Sequence, residues 1–320
     1  MSVLEALLRR FRFVRRLERR AEAAERALAE AGVAFPPGHF YSPLPSRAEV
    51  ERAFAEAPSE PPFPAIDLHA TEQEALLERF AGFYAEQPFP EQPREGWRFH
   101  LRNPSYGCFD AIMLWSMLRT LDTRRVIEVG SGFSSAAMLD LNEHVFRRRM
   151  ELTFIDPDMA RLRPLLKPED LSGVTLREQR VQEVPLEVFD ALRAGDVLFI
   201  DSSHVSKIGS DVNHLFFRVL PRLARGVRVH VHDVAGNLDY PREWLDEGRA
   251  WNEQYLLRAF LMYNRAFAVE LFTGWLFNRR HAFLREHLPL CAEGGGGQIW
   301  LRRTNETPTD WGSRRIRMFR

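Results

Sequence analysis

The stretch that most constrains this chain is Arg125-Val126-Ile127-Glu128-Val129-Gly130-Ser131-Gly132-Phe133-Ser134-Ser135-Ala136-Ala137-Met138. An apolar, β-branched run breaks into Gly-Ser-Gly and restarts as a helical sequence, with Ser134 or Ser135 as candidate N-cap. A buried strand, a tight turn and a helix N-terminus in that order make a nucleotide-cofactor site in a doubly wound α/β fold. Glycine lacks a Cβ, so Gly130 and Gly132 let the backbone approach a ligand closely. Glu128, at the strand's end, disfavours a pyrophosphate there and tolerates a ribose or a cationic aminoacyl group. A dinucleotide fingerprint needs Gly-x-Gly-x-x-Gly, and its third glycine is missing here.

The rest of the chain fits one such fold with extensions. Of its 320 residues, 45% are hydrophobic and 28% charged, the balance of a soluble globular protein. A formal net charge of zero argues against a general nucleic-acid binder. The two cysteines, Cys108 and Cys291, give no disulfide framework and fit a reducing cytoplasm. No run is apolar enough to span a membrane, and arginines interrupt any signal-peptide core at the N-terminus. Residues 2–32 read as one amphipathic helix, placed in a segment 1–34 that docks on its own domain, on a second subunit or on a membrane surface. A linker and helical cap region follow over 35–102. Phe35 to Pro45 is too rich in proline for helix, and the pairs Ser46/Glu49 and Thr71/Glu74 read as capping boxes opening two helices.

Regular alternation begins after a helix through Phe109 to Leu118. Strands are expected at Arg125–Val129, Leu152–Ile155, Val174–Leu176, Asp196–Ile200 and Val227–Val231. Helical segments separate them, around Met159–Leu166, Leu186–Leu192 and Asp211–Leu223. Such alternation implies a parallel sheet with right-handed crossovers. A helix over Trp251–Tyr263, a strand over Phe267–Phe272 and a strand from Gln298 close the domain at 302, and 303–320 form a tail. Ligands of such sheets bind beyond the strands' carboxyl ends. There the strands end in Glu128 and Gly130, then Asp156, Asp201, and His232 with Asp233. Asp156 ends the second strand, where an acid accepts hydrogen bonds from both ribose hydroxyls.

The Glu-x-Gly-x-Gly form resembles motif I of the class I S-adenosylmethionine-dependent methyltransferases. The phrases His-Phe-Tyr-Ser-Pro (39–43), Asn-Pro-Ser-Tyr-Gly (103–107), Tyr-Pro-Arg-Glu-Trp (240–244) and Trp-Asn-Glu-Gln-Tyr (251–255) resemble the bacterial group often filed as methyltransferase family 24. The resemblance covers about residues 103–302. It implies a seven-stranded, mostly parallel Rossmann-like sheet whose last two strands form a partly antiparallel edge. It also implies a cofactor site made by Glu128, Gly130, Ser131, Gly132, Ser134, Asp156 and Asp201, with Tyr106 from the second phrase. Arg180-Val181-Gln182 stands where this class holds the adenine edge, which adds Val181 and Gln182.

Ile200-Asp201-Ser202-Ser203-His204 and Val231-His232-Asp233-Val234 resemble the metal-dependent O-methyltransferases of the catechol and macrolide-sugar types. Those enzymes end strand four with a metal-binding Asp and strand five with a pair of oxygen ligands. The resemblance therefore implies a metal at Asp201, Asp233 and His232. The nitrogen of His232 weakens the case for Mg²⁺ and admits Mn²⁺ or no metal. Three residues past Asp201, His204 takes the place of the general base in the catechol type, and its ordinary pKa suits that work at neutral pH. Lys207, one of only two lysines, is a second candidate. Tyr240, Trp244, Trp251 and Tyr255 offer stacking surface for a small hydroxylated acceptor, sugar-like or phenolic. Two other functions remain open at this point: a nicotinamide-dependent oxidoreductase, and a non-catalytic cofactor-binding scaffold that assembles through its N-terminal helix.

Overall fold

The computed structural model describes residues 35–58 and 63–304. The expected N-terminal helix and the C-terminal tail beyond residue 304 lie outside the described residues. The chain divides into two compact units, one of Met1–Pro61 with Arg242–Ala250, the other of Pro62–Pro241 with Trp251–Arg320.

In the smaller unit, residues 35–45 form turns rather than helix, as their prolines require. Helix α1 (Arg47–Glu56) opens on the expected capping box. Ser46 Oγ accepts from Glu49 N at 3.2 Å, and the Glu49 carboxylate accepts from Ser46 N at 2.7 Å. Arg242, on a short helical segment, pairs with Glu51 and lies 5.9 Å from the Phe54 ring.

In the larger unit, helices α2 (Ala70–Ala81) and α3 (Cys108–Leu121) precede the sheet. The strands are β1 (Arg125–Val129), β2 (Glu151–Ile155), β3 (Val174–Arg177), β4 (Val197–Ile200), β5 (Arg228–His232), β6 (Phe267–Phe272) and β7 (Gln298–Arg303). Their order is β3-β2-β1-β4-β5-β7-β6. The first five pair in parallel, and β7 runs antiparallel to both β5 and β6. From β1 the chain winds outward to β3, then returns to lay β4 on the other side of β1. The β1/β4 boundary is thus the switch point at which doubly wound sheets open a ligand crevice.

Side chains alternate across this sheet, and each face buries its own core. Val126, Phe154, Phe199 and Trp300 face one core, built on α3, in which every residue from Phe109 to Leu118 is buried. Ile127, Val129, Leu198 and Ile200 face the other, with Val212, Leu215 and Leu257. Strands buried on both faces explain the near-continuous apolar runs in the sequence. Among the described residues, no helix is long and apolar enough to cross a membrane.

The helices depart further from expectation than the strands. Helix α4 (Phe133–Asp140) begins behind Gly132, so neither Ser134 nor Ser135 is its N-cap. In place of the helix expected over Met159–Leu166 there is a single turn, Arg163–Leu165, and a short helical segment, Asp170–Gly173, leads into β3. The expected helix over 211–223 is α5 (Asp211–His214), then a wider turn, Leu215–Val219, and a tighter one, Leu220–Arg222. Pro221 lies in the last turn and has no N–H to continue the ladder. The box at Thr71/Glu74 does not form, because α2 starts earlier, behind His69. Glu74 instead pairs with Arg279 and Arg280, each at 2.7 Å. The expected helix over 251–263 is α6 (Glu253–Leu261). A long helix, α7 (Thr273–His287), joins β6 to β7 and had no counterpart in the sequence reading.

Candidate active site

Motif I forms the expected strand-turn-helix, but its polar groups are largely spent within the protein. Gly130 has φ +88°, and a Cβ there would sit 1.7 Å from the Asp201 carbonyl oxygen. Its glycine is therefore demanded first by the close approach of the turn after β1 to the end of β4, and only then by any ligand. Gly132 N donates to Ser135 Oγ at 3.0 Å. The Glu128 carboxylate accepts from both Ser134 Oγ and Ser135 Oγ and is fully buried. Burial pushes its pKa up to about 8, against the pull of the two hydroxyls. Glu128 thus ties β1 to α4 instead of facing a ligand.

Asp156 stands at the tip of β2, partly exposed, as expected. Its Oδ2 accepts from Ser131 N at 2.8 Å and Ser131 Oγ at 3.0 Å, while Oδ1 accepts from Asp158 N at 2.9 Å. A carboxylate has about four acceptor positions, so room remains for a ribose hydroxyl. Val181 is buried at the next tip, and Gln182 Nε2 donates to the Gly209 carbonyl at 2.8 Å. Tyr106 is buried, its ring 5.2 Å from that of His232 and its hydroxyl 3.4 Å from the Asp110 carbonyl. It lies behind the strand tips as a packing residue.

The tips of β4 and β5 hold the densest chemistry. His204 Nε2 lies 3.4 Å from Asp201 Oδ1 and 3.3 Å from Asp233 Oδ2. Ligating atoms of Asp201, His204 and Asp233 all lie within 4.8 Å of one another. The expected metal trio had His232 in that set. His232 instead points back into the core: its Nδ1 is 3.3 Å from His230 Nε2, and its Nε2 is 3.9 Å from Asp233 Oδ1. His204 takes its place, in the loop after β4, where Asn252 and Glu253 hold its backbone and ring. Both His204 (φ +58°) and Asp233 (φ +55°) hold the left-handed conformation, which costs a residue with a Cβ about 1 kcal/mol or more. Strain of that kind persists only where the surroundings impose it.

The surroundings here are the start of α6. Asn252 N and Glu253 N donate to the His204 carbonyl at 3.0 and 3.1 Å. The Asn252 amide brackets the backbone of Ser206 from both sides. Glu253 Oε2 meets His204 Nδ1 at 2.9 Å. The Trp251 ring lies 4.4 Å from the imidazole. Glu253 went unnoticed in the sequence reading, although it sits within one of the recognised phrases; only the fold brings it to His204. Its second oxygen, Oε1, is buried without a hydrogen-bond partner.

Electrostatics follow from this ring of acids. Burial alone would lower the His204 pKa, but the bonds to Asp201 and Glu253 and the charges of Glu253 and Asp233 push it up to about 10. Burial would raise the Asp201 carboxyl, yet the charge of His232 and the His204 bond hold it below the ordinary range. Burial raises Glu253. Lys207 is exposed, and its backbone, bonded to Ser210 and Asn213, does the work in the loop. Tyr240 is buried, accepts from Gln254 N at 3.2 Å and packs edge-on against Tyr255. Tyr255 is half exposed and donates to Asp239 Oδ1 at 2.6 Å. Trp244 belongs to the smaller unit, where the Arg249 guanidinium lies 5.0 Å from its ring.

Known proteins resemble parts of this chain. A family described as a methyltransferase domain matches residues 127–234, from within β1 to just past β5. An uncharacterised protein of Archaeoglobus fulgidus is 30% identical over 181 residues, covering 54% of this chain and 79% of that protein. Among solved structures, an SAH-bound methyltransferase of Podospora anserina is similar over 82% of this chain and 98% of its own, at 15% identity and a TM-score of 0.41. A putative caffeoyl-CoA O-methyltransferase of Staphylococcus aureus is similar over 80% of this chain and 98% of its own, at 12% identity and a TM-score of 0.41. The matched domain takes in the glycine turn at β1 and the acids at the tips of β2, β4 and β5, so residues 127–234 form a methyltransferase domain of the group filed as family 24.

Proposed function

We propose that the protein transfers a methyl group from S-adenosylmethionine to an oxygen of a small hydroxylated acceptor, sugar-like or phenolic. The observation that carries this reading is His204 Nε2 poised between the Asp201 and Asp233 carboxylates, at the tips of two adjacent central strands. The cofactor supplies an electrophilic methyl on a sulfonium. The protein's tasks are to line up the acceptor oxygen and to remove its proton.

In this reading Asp156 receives the ribose hydroxyls, and Val181 and Gln182 flank the adenine. Asp201 and Asp233 hold the acceptor's hydroxyl, or a divalent cation that binds it, and His204 takes the proton. Were the His204 nitrogen to join the two carboxylate oxygens as a ligand, the donor set would suit Mn²⁺ more than Mg²⁺, and the proton would then leave to solvent instead of to His204. A cation there would act as a Lewis acid on the acceptor oxygen. The surrounding acids keep His204 protonated near neutral pH, so it becomes a base only when positive charge arrives beside it and draws the carboxylates away. Trp251 and Tyr255 supply stacking surface near the imidazole, and Tyr240 supports them from the core.

Calorimetric titration with S-adenosylhomocysteine and NAD tests the class of cofactor. Binding of the first and not the second supports the reading, and the reverse would return the oxidoreductase. Release of S-adenosylhomocysteine across a panel of hydroxylated acceptors then separates an enzyme from a scaffold. A crystal soaked in Mn²⁺ tests the cation: an anomalous peak within about 2.0–2.3 Å of Asp201 and Asp233 oxygens supports it, by ordinary first-row ligand distances.

A further inference from the structure

The sealing of Glu128 removes the acid that the sequence placed beside the cofactor's aminoacyl group. What lies over the glycine turn in its stead is a cation. The Arg161 side chain crosses Gly132 so closely that a Cβ on that glycine would meet Arg161 Cδ at 2.8 Å and Cγ at 3.4 Å. Arg161 lies in the turns after β2, just past Asp156, and is exposed. Among the described residues no hydrogen bond or ion pair engages its guanidinium. Its charge nevertheless reaches Asp201 across the turn. The crevice at the β1/β4 switch point is therefore bipolar. Acids occupy the tips of β2, β4 and β5, and the stem of an exposed arginine lies over motif I.

The cofactor carries a matching asymmetry. Its sulfonium and amine are cationic, its ribose donates hydrogen bonds, and its carboxylate is anionic. We infer that Arg161 binds the carboxylate of the cofactor's aminoacyl group, and so sets which end of that group faces the Asp201–Asp233 pair. The assignment rests on the methyltransferase reading above. A guanidinium suits it because its planar fork can meet a carboxylate with two parallel hydrogen bonds. The stem's packing on Gly132 positions the fork without a further anchor.

The test compares two ligands on two proteins by isothermal titration calorimetry. S-adenosylhomocysteine carries the aminoacyl carboxylate; 5′-deoxy-5′-methylthioadenosine has the same nucleoside thioether without it. Arg161→Ala should weaken S-adenosylhomocysteine roughly 10-fold or more, the scale of a lost charge-assisted hydrogen bond. It should leave methylthioadenosine within about 2-fold of wild type, a change no larger than a surface substitution causes. Arg161→Lys should fall between, since it keeps the charge and loses the fork. Because Arg161 is exposed, the variant's circular dichroism and melting should match wild type. Equal weakening of both ligands, or of neither, overturns the assignment and leaves the cofactor reading standing. A folded wild type that binds neither ligand removes both.

Discussion

Arg98 and His204 each sit inside a ring of carboxylates in the larger unit, and the two rings are built to opposite rules. Around Arg98 every partner is satisfied. Its guanidinium meets Asp170 through two nitrogens, at 2.9 and 2.6 Å, and Asp140 at 2.7 Å. The other Asp140 oxygen accepts from Arg98 N and Phe99 N, both at 2.8 Å. Glu143 closes the ring with help from Lys167. Around His204 the acids outnumber their partners, one oxygen of Glu253 has none, and two residues hold left-handed backbone. Asp201 and Asp233 remain 29% exposed at the side chain, against 0% and 4% for Asp140 and Asp170. A buried ion cluster that is fully paired holds the fold together. One left short of positive charge and open at one side is, in the proposed reading, where a ligand supplies it.

The comparison breaks most visibly by removing each centre. Arg98→Ala leaves Asp140 and Asp170 buried and unpaired, and should cost about 3–5 kcal/mol of stability in a denaturant melt. His204→Gln keeps the left-handed backbone and should cost less stability than Arg98→Ala, because Asp201 and Asp233 stay open to solvent on one side. It should instead lower turnover by about 10²–10⁴-fold, the usual contribution of a general base, with S-adenosylhomocysteine affinity unchanged. Equal losses of stability in the two variants would erase the distinction.

A smaller effect sharpens it. The His204 pKa rises from its ordinary 6.5 to about 10 on folding, so the folded state binds the extra proton. Its stabilisation is fully present below about pH 6.5 and is lost as pH climbs to 10. The stability gap between wild type and His204→Gln should therefore narrow over that interval. Smaller still is the expected effect of Asp156→Ala, which removes the ribose contact. It should weaken S-adenosylhomocysteine by about 1.5–3 kcal/mol and leave the fold intact. Unchanged affinity in a folded variant would remove Asp156 from the cofactor's contacts.

Which parts of this were legible in the sequence follows from the range of the forces involved. The strands were, to within a residue or two, because β-branched runs buried on both faces end abruptly in polar tips. The Ser46 box was, because its two hydrogen bonds span three residues. Helix α7 was not: its apolar residues follow no clear stripe, its backbone kinks at Arg280, and β6 runs straight into it. Glu128 was legible at the strand end, but its cover by Ser134 and Ser135 was not, since only the packing of α4 brings them over it. His204 and Asp201 could be read from neighbouring positions. Glu253 could not, because 49 residues separate it from His204 and only the docking of α6 joins them.

The claim that most depends on these contacts is that the under-neutralised ring around His204 is the transfer centre. A crystal structure of the protein with S-adenosylhomocysteine tests it directly. The account predicts the ligand's sulfur facing the gap between Asp201 and Asp233, on the side where His204 Nε2 points, with Glu253 still holding Nδ1. A ligand bound with its sulfur away from that gap, or an imidazole turned into the core once the cofactor is in place, would contradict it.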